Sequence, residues 1–151
     1  MIAGEGTQII RRPAKEIFEF VLDPETYKKA DLKIGTVHSL TWQDGHAEIH
    51  YSGRFRGFPT PSVRQLIETQ PYSRIDVLSK PGTAAHFLSR FHGTFTFEEL
   101  GDGQATRVFH REELAFLPPL DLLLEPLLRS WLENDTAQEV LRLKTLLEMT
   151  S

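Results

Sequence analysis

The chain has no cysteine. That excludes disulfides, thiolate metal sites and a cysteine nucleophile, and it fits a reducing compartment. Basic clustering is also lacking: no run of Lys or Arg exceeds two, and the formal net charge is −4. A surface that tracks nucleic-acid phosphates needs clustered positive charge, so no nucleic-acid partner is expected. No apolar stretch approaches the ~20 residues that span a bilayer. The opening "MIAGEGTQII" lacks the basic region and long apolar run of a signal peptide. The expectation is a cytoplasmic protein without integral membrane association. Glycine-rich phosphate loops are missing too, since "GEG" at 4–6 reads as a terminus and "GDG" at 101–103 as a turn.

What is present is an ordinary globular composition of 151 residues, 40% hydrophobic and 25% charged. It suits one domain, 1–151, with its own core. Phe dominates the aromatics, at 10 against three Tyr and two Trp. Such a chain has either a bulky core or a lined apolar cavity. The element order is legible. A first strand over 6–12 leads to Pro13 and a short helix with Ile17, Phe18 and Val21 on one side. Asp23 and Pro24 then cap and open a second short helix. Turn residues divide the next segment into six strands, roughly 32–43, 46–57, 62–69, 73–79, 86–99 and 105–117. A long helix is expected from Pro126 to about Met149.

Two hairpins can be registered from the pattern. A turn at Asp44-Gly45 puts Trp42 opposite Ala47, Leu40 opposite Ile49, His38 opposite Tyr51 and Ile34 opposite Phe55. A turn at Asp102-Gly103 puts Phe97 opposite Val108, Phe95 opposite His110, Gly93 opposite Glu112, Phe91 opposite Leu114 and Ser89 opposite Phe116. Each set forms one apolar face, and the other faces pair polar or opposite charges, such as Glu98 with Arg107. In strand 62–69, Arg64, Leu66 and Glu68 on one face and Val63, Gln65 and Ile67 on the other divide polarity evenly, so the facing of strands 62–69 and 73–79 stays open.

The order strand, two short helices, six strands and long helix, with "IIRRPAKEIFEFVLDPETY" at 9–27, resembles the START/Bet v 1-like (SRPBCC) superfamily, in its polyketide cyclase/dehydrase and lipid-transport branch. The motif residues are Pro13, Ala14, Ile17, Phe18, Asp23, Pro24 and Tyr27. They cap and pack helices and do no chemistry. The resemblance implies an α+β helix-grip fold: a curved seven-stranded antiparallel sheet around the C-terminal helix, with a cavity between them. Members bind lipids, sterols, hormones, quinones or polyketides, and some catalyse cyclisation or dehydration. Fold analogy does not choose among these, and no catalytic signature carries over.

Candidate site residues follow from inward-facing polar groups, which need partners or a cavity. His38, Tyr51, His110 and Glu112 fall on apolar faces. Trp42, Phe55, Ser89, Phe91, Phe95 and Phe116 share those faces, and Leu128 and Trp131 extend the wall from the helix. Asp135 and Glu139 share the apolar stripe of "RSWLENDTAQEVLRL". They either sit at the cavity mouth or pair with His110 or His38. The favoured function is binding or carriage of a hydrophobic small molecule. The alternative is a polyketide cyclase/dehydratase-like enzyme with His38 or His110 as acid/base, Glu112 orienting it and Tyr51 as donor. No cofactor and no metal is expected: His46 and His50 on a strand lie ~13 Å apart. The leucine-rich stretch 117–128 reads as a core-facing lid. No feature assigns an oligomeric state.

Overall fold

The computed structural model describes residues 1–149; Thr150 and Ser151, the end of the expected domain, lie outside the described residues. One antiparallel sheet of seven strands has the order β1-β7-β6-β5-β4-β3-β2. The strands are β1 (Ile2–Ile10), β2 (Ile34–Gln43), β3 (His46–Phe55), β4 (Phe58–Gln70), β5 (Arg74–Ser79), β6 (Ser89–Leu100) and β7 (Ala105–Phe116). The helices are α1 (Ala14–Leu22), α2 (Pro24–Tyr27), α3 (Ala84–Leu88) and α4 (Leu120–Met149). This is the helix-grip arrangement, with α4 packed on β1 and β7.

Local signals explain most boundaries. The Asp23 side chain accepts from Glu25 N at 3.1 Å and caps α2, and Pro24 begins it. Asp44 and Gly45 both have positive φ, 50° and 79°, which a tight two-residue hairpin turn requires. The β6–β7 register is the one that alternation predicts throughout, from Phe97 opposite Val108 to Ser89 opposite Phe116.

Four expectations are corrected. β1 begins at Ile2, so Gly4 and Gly6 lie within a paired strand instead of a terminus. A Cβ on Gly4 would stand 2.5 Å from the Leu132 carbonyl oxygen, and one on Gly6 3.0 Å from Ala137 Cα. These glycines let α4 approach the sheet to backbone contact. Next, α4 begins at Leu120, with Pro126 inside it. Proline forfeits one hydrogen bond there, but Leu120, Leu122, Leu123 and Leu124 are good helix formers and sustain the turns that precede it. Leu122, Leu123 and Leu127 point outward and are exposed, so this stretch is not a core-facing lid throughout. Finally, α3 interrupts the segment assigned to a single strand from 86. Thr83 caps it by accepting from His86 N at 3.2 Å.

Candidate functional site

Between the sheet, α2 and α4 lies a cavity of about 310 Å³. Its apolar wall comes from alternate residues of successive strands: Ile49, Tyr51 and Phe55 on β3, Val63 and Ile67 on β4, Ile75 and Val77 on β5, Phe91 and Phe95 on β6. Leu128 and Trp131 close it from α4, and Trp131 meets Phe55 edge-on at a centroid distance of 4.9 Å. The even polarity of β4 is resolved by its pairing with β3. Ala47, Ile49 and Tyr51 oppose Ile67, Gln65 and Val63, so those residues share the inner face.

At one end of this wall a charge cluster assembles from four separate segments. The turn after α2 supplies Asp31 and Lys33. β7 supplies His110 and Glu112, two residues apart on one face. One turn of α4 supplies Asp135 and Glu139, at i and i+4. Tyr27 reaches in from α2. The Lys33 ammonium lies 2.9 Å from Asp31 Oδ1, 3.1 Å from Glu112 Oε1, 2.8 Å from Asp135 Oδ2 and 2.8 Å from Glu139 Oε1. His110 Nε2 lies 2.7 Å from Glu139 Oε2 and 3.2 Å from Glu112 Oε1. Its Nδ1 donates to the Thr94 carbonyl at 2.9 Å. The Tyr27 hydroxyl donates to Glu139 Oε2. The Phe95 ring stacks on the His110 imidazole, 11° from parallel.

The turn that carries Lys33 is held at several points. Arg142 Nε donates to the Ala30 carbonyl at 2.7 Å, Arg54 N donates to the Lys33 carbonyl at 2.8 Å, and Asp31 Oδ1 accepts from Lys33 N at 3.0 Å. The segment therefore behaves as part of the scaffold, although it has no regular secondary structure.

Burial without compensation would neutralise these groups. Here opposite charges outweigh it. Burial opposes the His110 imidazolium, but Glu139 and Glu112 hold its pKa up at about 10. Burial also opposes the Lys33 ammonium, and Asp31, Glu112, Glu139 and Asp135 together raise it well above its usual value. Glu112 and Glu139 are each 1% exposed, and burial pushes both up. Lys33 and His110 nevertheless leave them below the ordinary carboxyl value. Asp31 is raised, by burial and by Glu139. Burial, then Glu139, raises Tyr27 well above its usual value, and burial raises Tyr51. At neutral pH an imidazolium and an ammonium face the Glu112 and Glu139 carboxylates, beside two neutral phenols.

The protons of His110, Lys33 and the Tyr27 hydroxyl are all committed. Both His110 N–H groups face protein acceptors, and the three Lys33 protons meet four carboxylates. His110, Glu112 and Glu139 place ligand atoms within 4.8 Å of one another, which resembles a divalent-metal donor set. Lys33 Nζ stands against the same two carboxylates, 3.1 Å from Glu112 Oε1 and 2.8 Å from Glu139 Oε1.

Ten of the residues singled out from sequence line the cavity: Tyr51, Phe55, Ser89, Phe91, Phe95, His110, Glu112, Leu128, Trp131 and Glu139. His110 and Glu139 form the pair that the helix stripe had suggested. Four others are placed differently. The register shifts between Val37 and Ser39, so Tyr51 pairs with Val37 and Ile34 with Gly53. The bulge turns His38 outward, where it is exposed and Nε2 meets Ser52 Oγ at 2.6 Å. His38 therefore leaves both the cavity wall and the acid/base candidates. Trp42 opposes Ala47 as expected but is 42% exposed, near the hairpin end of edge strand β2. Phe116 pairs with Ser89 at the far end of β7 and is not in the wall. Asp135 is not wall either; it binds Lys33, and lies 3.6 Å from Arg142 Nη2.

The residues that pattern reading missed are Lys33, Asp31 and, as a polar participant, Tyr27. One signal was available: two buried acids on a helix and one on a strand demand a cation, and a histidine alone does not balance them.

Comparison with known proteins gives a consistent result. The family model described as polyketide cyclase/dehydrase and lipid transport matches residues 1–148. No curated protein matches the sequence. Among solved structures, the protein TTHA0849 from Thermus thermophilus is similar at a TM-score of 0.76 and 17% identity, covering 99% of each chain. The Zhui aromatase/cyclase from Streptomyces sp. R1128 is similar at 0.75 and 14% identity, over 97% of this chain and 93% of that one. One further neighbour, the di-domain aromatase/cyclase StfQ of the steffimycin biosynthetic pathway, has a TM-score of 0.69 at 13% identity, with 98% of this chain and 51% of that chain covered. At these identities the likeness shows the fold, and the family match over residues 1–148 establishes that the chain belongs to the polyketide cyclase/dehydrase and lipid transport family.

Proposed function

We propose that the protein binds and carries an apolar small molecule in the cavity between sheet and α4, without acting on it chemically. The observation that carries this reading is the commitment of every proton on His110 and Lys33 to protein acceptors. General acid/base catalysis at neutral pH needs a group that titrates near neutrality and reaches the substrate. His110 is held protonated by Glu139 and Glu112 against the effect of burial, and both its nitrogens are occupied. It is therefore a poor base and has no proton to spare. The cavity itself, about 310 Å³ with a mostly aliphatic and aromatic wall, is within the lower range of small-ligand pockets.

The neighbouring aromatase/cyclase structures supply the competing reading, a cyclase that uses the same cavity. The two separate in one experiment. The neutral probe N-phenyl-1-naphthylamine is titrated into the protein and displaced with a panel of lipids, quinones and polyphenols. Saturable fluorescence enhancement is expected, and Val77→Trp, which fills the cavity, is expected to abolish it. Absence of binding, or binding unaffected by Val77→Trp, overturns the carrier reading. Turnover of an unreduced polyketide mimic that is lost in His110→Ala overturns it in favour of the cyclase.

A further inference from the structure

Glu112 uses only one of its oxygens. Oε1 takes both Lys33 Nζ and His110 Nε2. Oε2 is buried with no hydrogen-bond partner, on a side chain 1% exposed that lines the cavity. A buried carboxylate oxygen without a donor loses its hydration and gains nothing in return, so such groups are rare unless something else completes them. Opposite Glu112 on β6 stands Gly93, which also lines the cavity and sets no side chain against the carboxylate. The neighbouring charges do not supply a donor, since Lys33 and His110 are already shared among carboxylates.

The balance of the cluster adds a second constraint. Lys33 and His110, the two cations that touch Glu112, are already shared with Asp31, Asp135 and Glu139. Neither has a proton left for an incoming group, and Glu112 is one of the residues that line the cavity. An anion entering there would face a carboxylate in an apolar enclosure, where repulsion is least screened.

From these two observations we infer that Glu112 Oε2 is the polar anchor of the ligand site, and that the ligand is an apolar molecule bearing a neutral hydrogen-bond donor, a phenol or alcohol, and not a carboxylate. This rests on the carrier reading of the cavity and names the ligand class for it. The apolar wall takes the hydrocarbon body and the hydroxyl donates to Oε2. A fatty-acid anion, which shares the apolar body, is repelled at Glu112, and Arg54 is the cation of the wall that stands apart from this cluster.

The test uses matched probes on one scaffold: 2-naphthol, its methyl ether 2-methoxynaphthalene, 2-acetylnaphthalene and 2-naphthoate, each measured by calorimetry or by displacement of the fluorescent probe. The wild type is expected to bind 2-naphthol at least about tenfold more tightly than the methyl ether, because only the donor differs and its acceptor is charged. 2-Naphthoate is expected to bind most weakly. In Glu112→Gln the amide oxygen faces Lys33 and His110 and the amide NH2 takes the place of Oε2. Preference then passes from the donor to the acceptor, and 2-acetylnaphthalene gains on 2-naphthol. Lys33 keeps three carboxylates in this variant, and the wild-type ratio stands without it if it folds poorly. Equal binding of 2-naphthol and its ether to the wild type overturns the anchor while leaving the carrier reading intact. Tight 2-naphthoate binding, or an unchanged preference in folded Glu112→Gln, overturns it likewise. No binding of any probe removes both.

Discussion

Replacing Lys33 by Met keeps the stem of the side chain and removes only its charge, so the variant isolates the centre of the cluster. In the native protein the ammonium lies within 3.1 Å of four carboxylates, two of them only 1% exposed. Without it, Glu112 and Glu139 are left buried with His110 as their remaining cation. Breaking a buried ion pair from one side costs about 3–5 kcal/mol, because the surviving charge stays desolvated. For a chain of this length that corresponds to a fall in Tm of roughly 6–20 °C. The pH dependence carries the sharper signature. In the wild type both carboxyls titrate below their unfolded values, so their contribution is present at neutral pH and is lost as the pH falls through the folded values. In Lys33→Met burial dominates and the folded values move above the unfolded ones. The variant is then most stable in acid and weakens as the pH rises. The difference between the two proteins should therefore be largest near pH 7.5 and shrink towards pH 5. Urea unfolding followed by circular dichroism at both pH values measures it. A loss below about 1 kcal/mol at pH 7.5, the size expected of an exposed ion pair, or a loss independent of pH, would refute the central role of Lys33.

Three more outcomes follow from the same geometry. The His110 imidazole should remain doubly protonated through pH 8 in nitrogen-15 NMR spectra, since Glu139 and Glu112 hold its pKa at about 10 against burial; titration near 6.5 contradicts the proposed charge state. Because that value is raised on folding, its contribution to stability is complete below about pH 6.5 and fades as the pH rises towards 10. Tyr27→Phe keeps the edge-on contact with Phe95 at 5.7 Å but deletes the hydroxyl that serves Glu139. It should cost about 1.5–3 kcal/mol, as for hydrogen bonds to charged groups, and a thermal melt unchanged from wild type would argue that the bond contributes nothing. Gly4→Ala forces a Cβ to 2.5 Å from the Leu132 carbonyl oxygen; chemical denaturation should register a loss of about 1–3 kcal/mol from overpacking, and a neutral result would mean that α4 does not press on β1.

The architecture was legible because its causes are local. Asp23-Pro24 starts a helix, Asp44-Gly45 closes a hairpin, and alternation along β6 and β7 assigns their inner faces, each within a few residues. These signals also brought His110 and Glu112 to one face, and helical spacing brought Glu139 towards them. What the chain does not state locally is which irregularities the tertiary structure will accept. The bulge that turns His38 outward lies in an edge strand, where one ladder is unpaired and a register shift is tolerated. The inward facing of Val63, Gln65 and Ile67 comes from pairing with β3 and not from their own polarity. Lys33 is the clearest case. A lysine in a polar turn belongs in water on any local criterion, and its burial becomes favourable only when carboxylates from β7 and α4, 79 to 106 residues away, converge on it. The amino-acid sequence by itself determined the sheet, the gripping helix and the apolar wall, because these depend on short-range propensity and periodicity. Only the tertiary structure decided how the charges of the cluster pair and which Glu112 oxygen is left without a partner, because an ion's burial free energy is set by partners that the chain brings together from a distance.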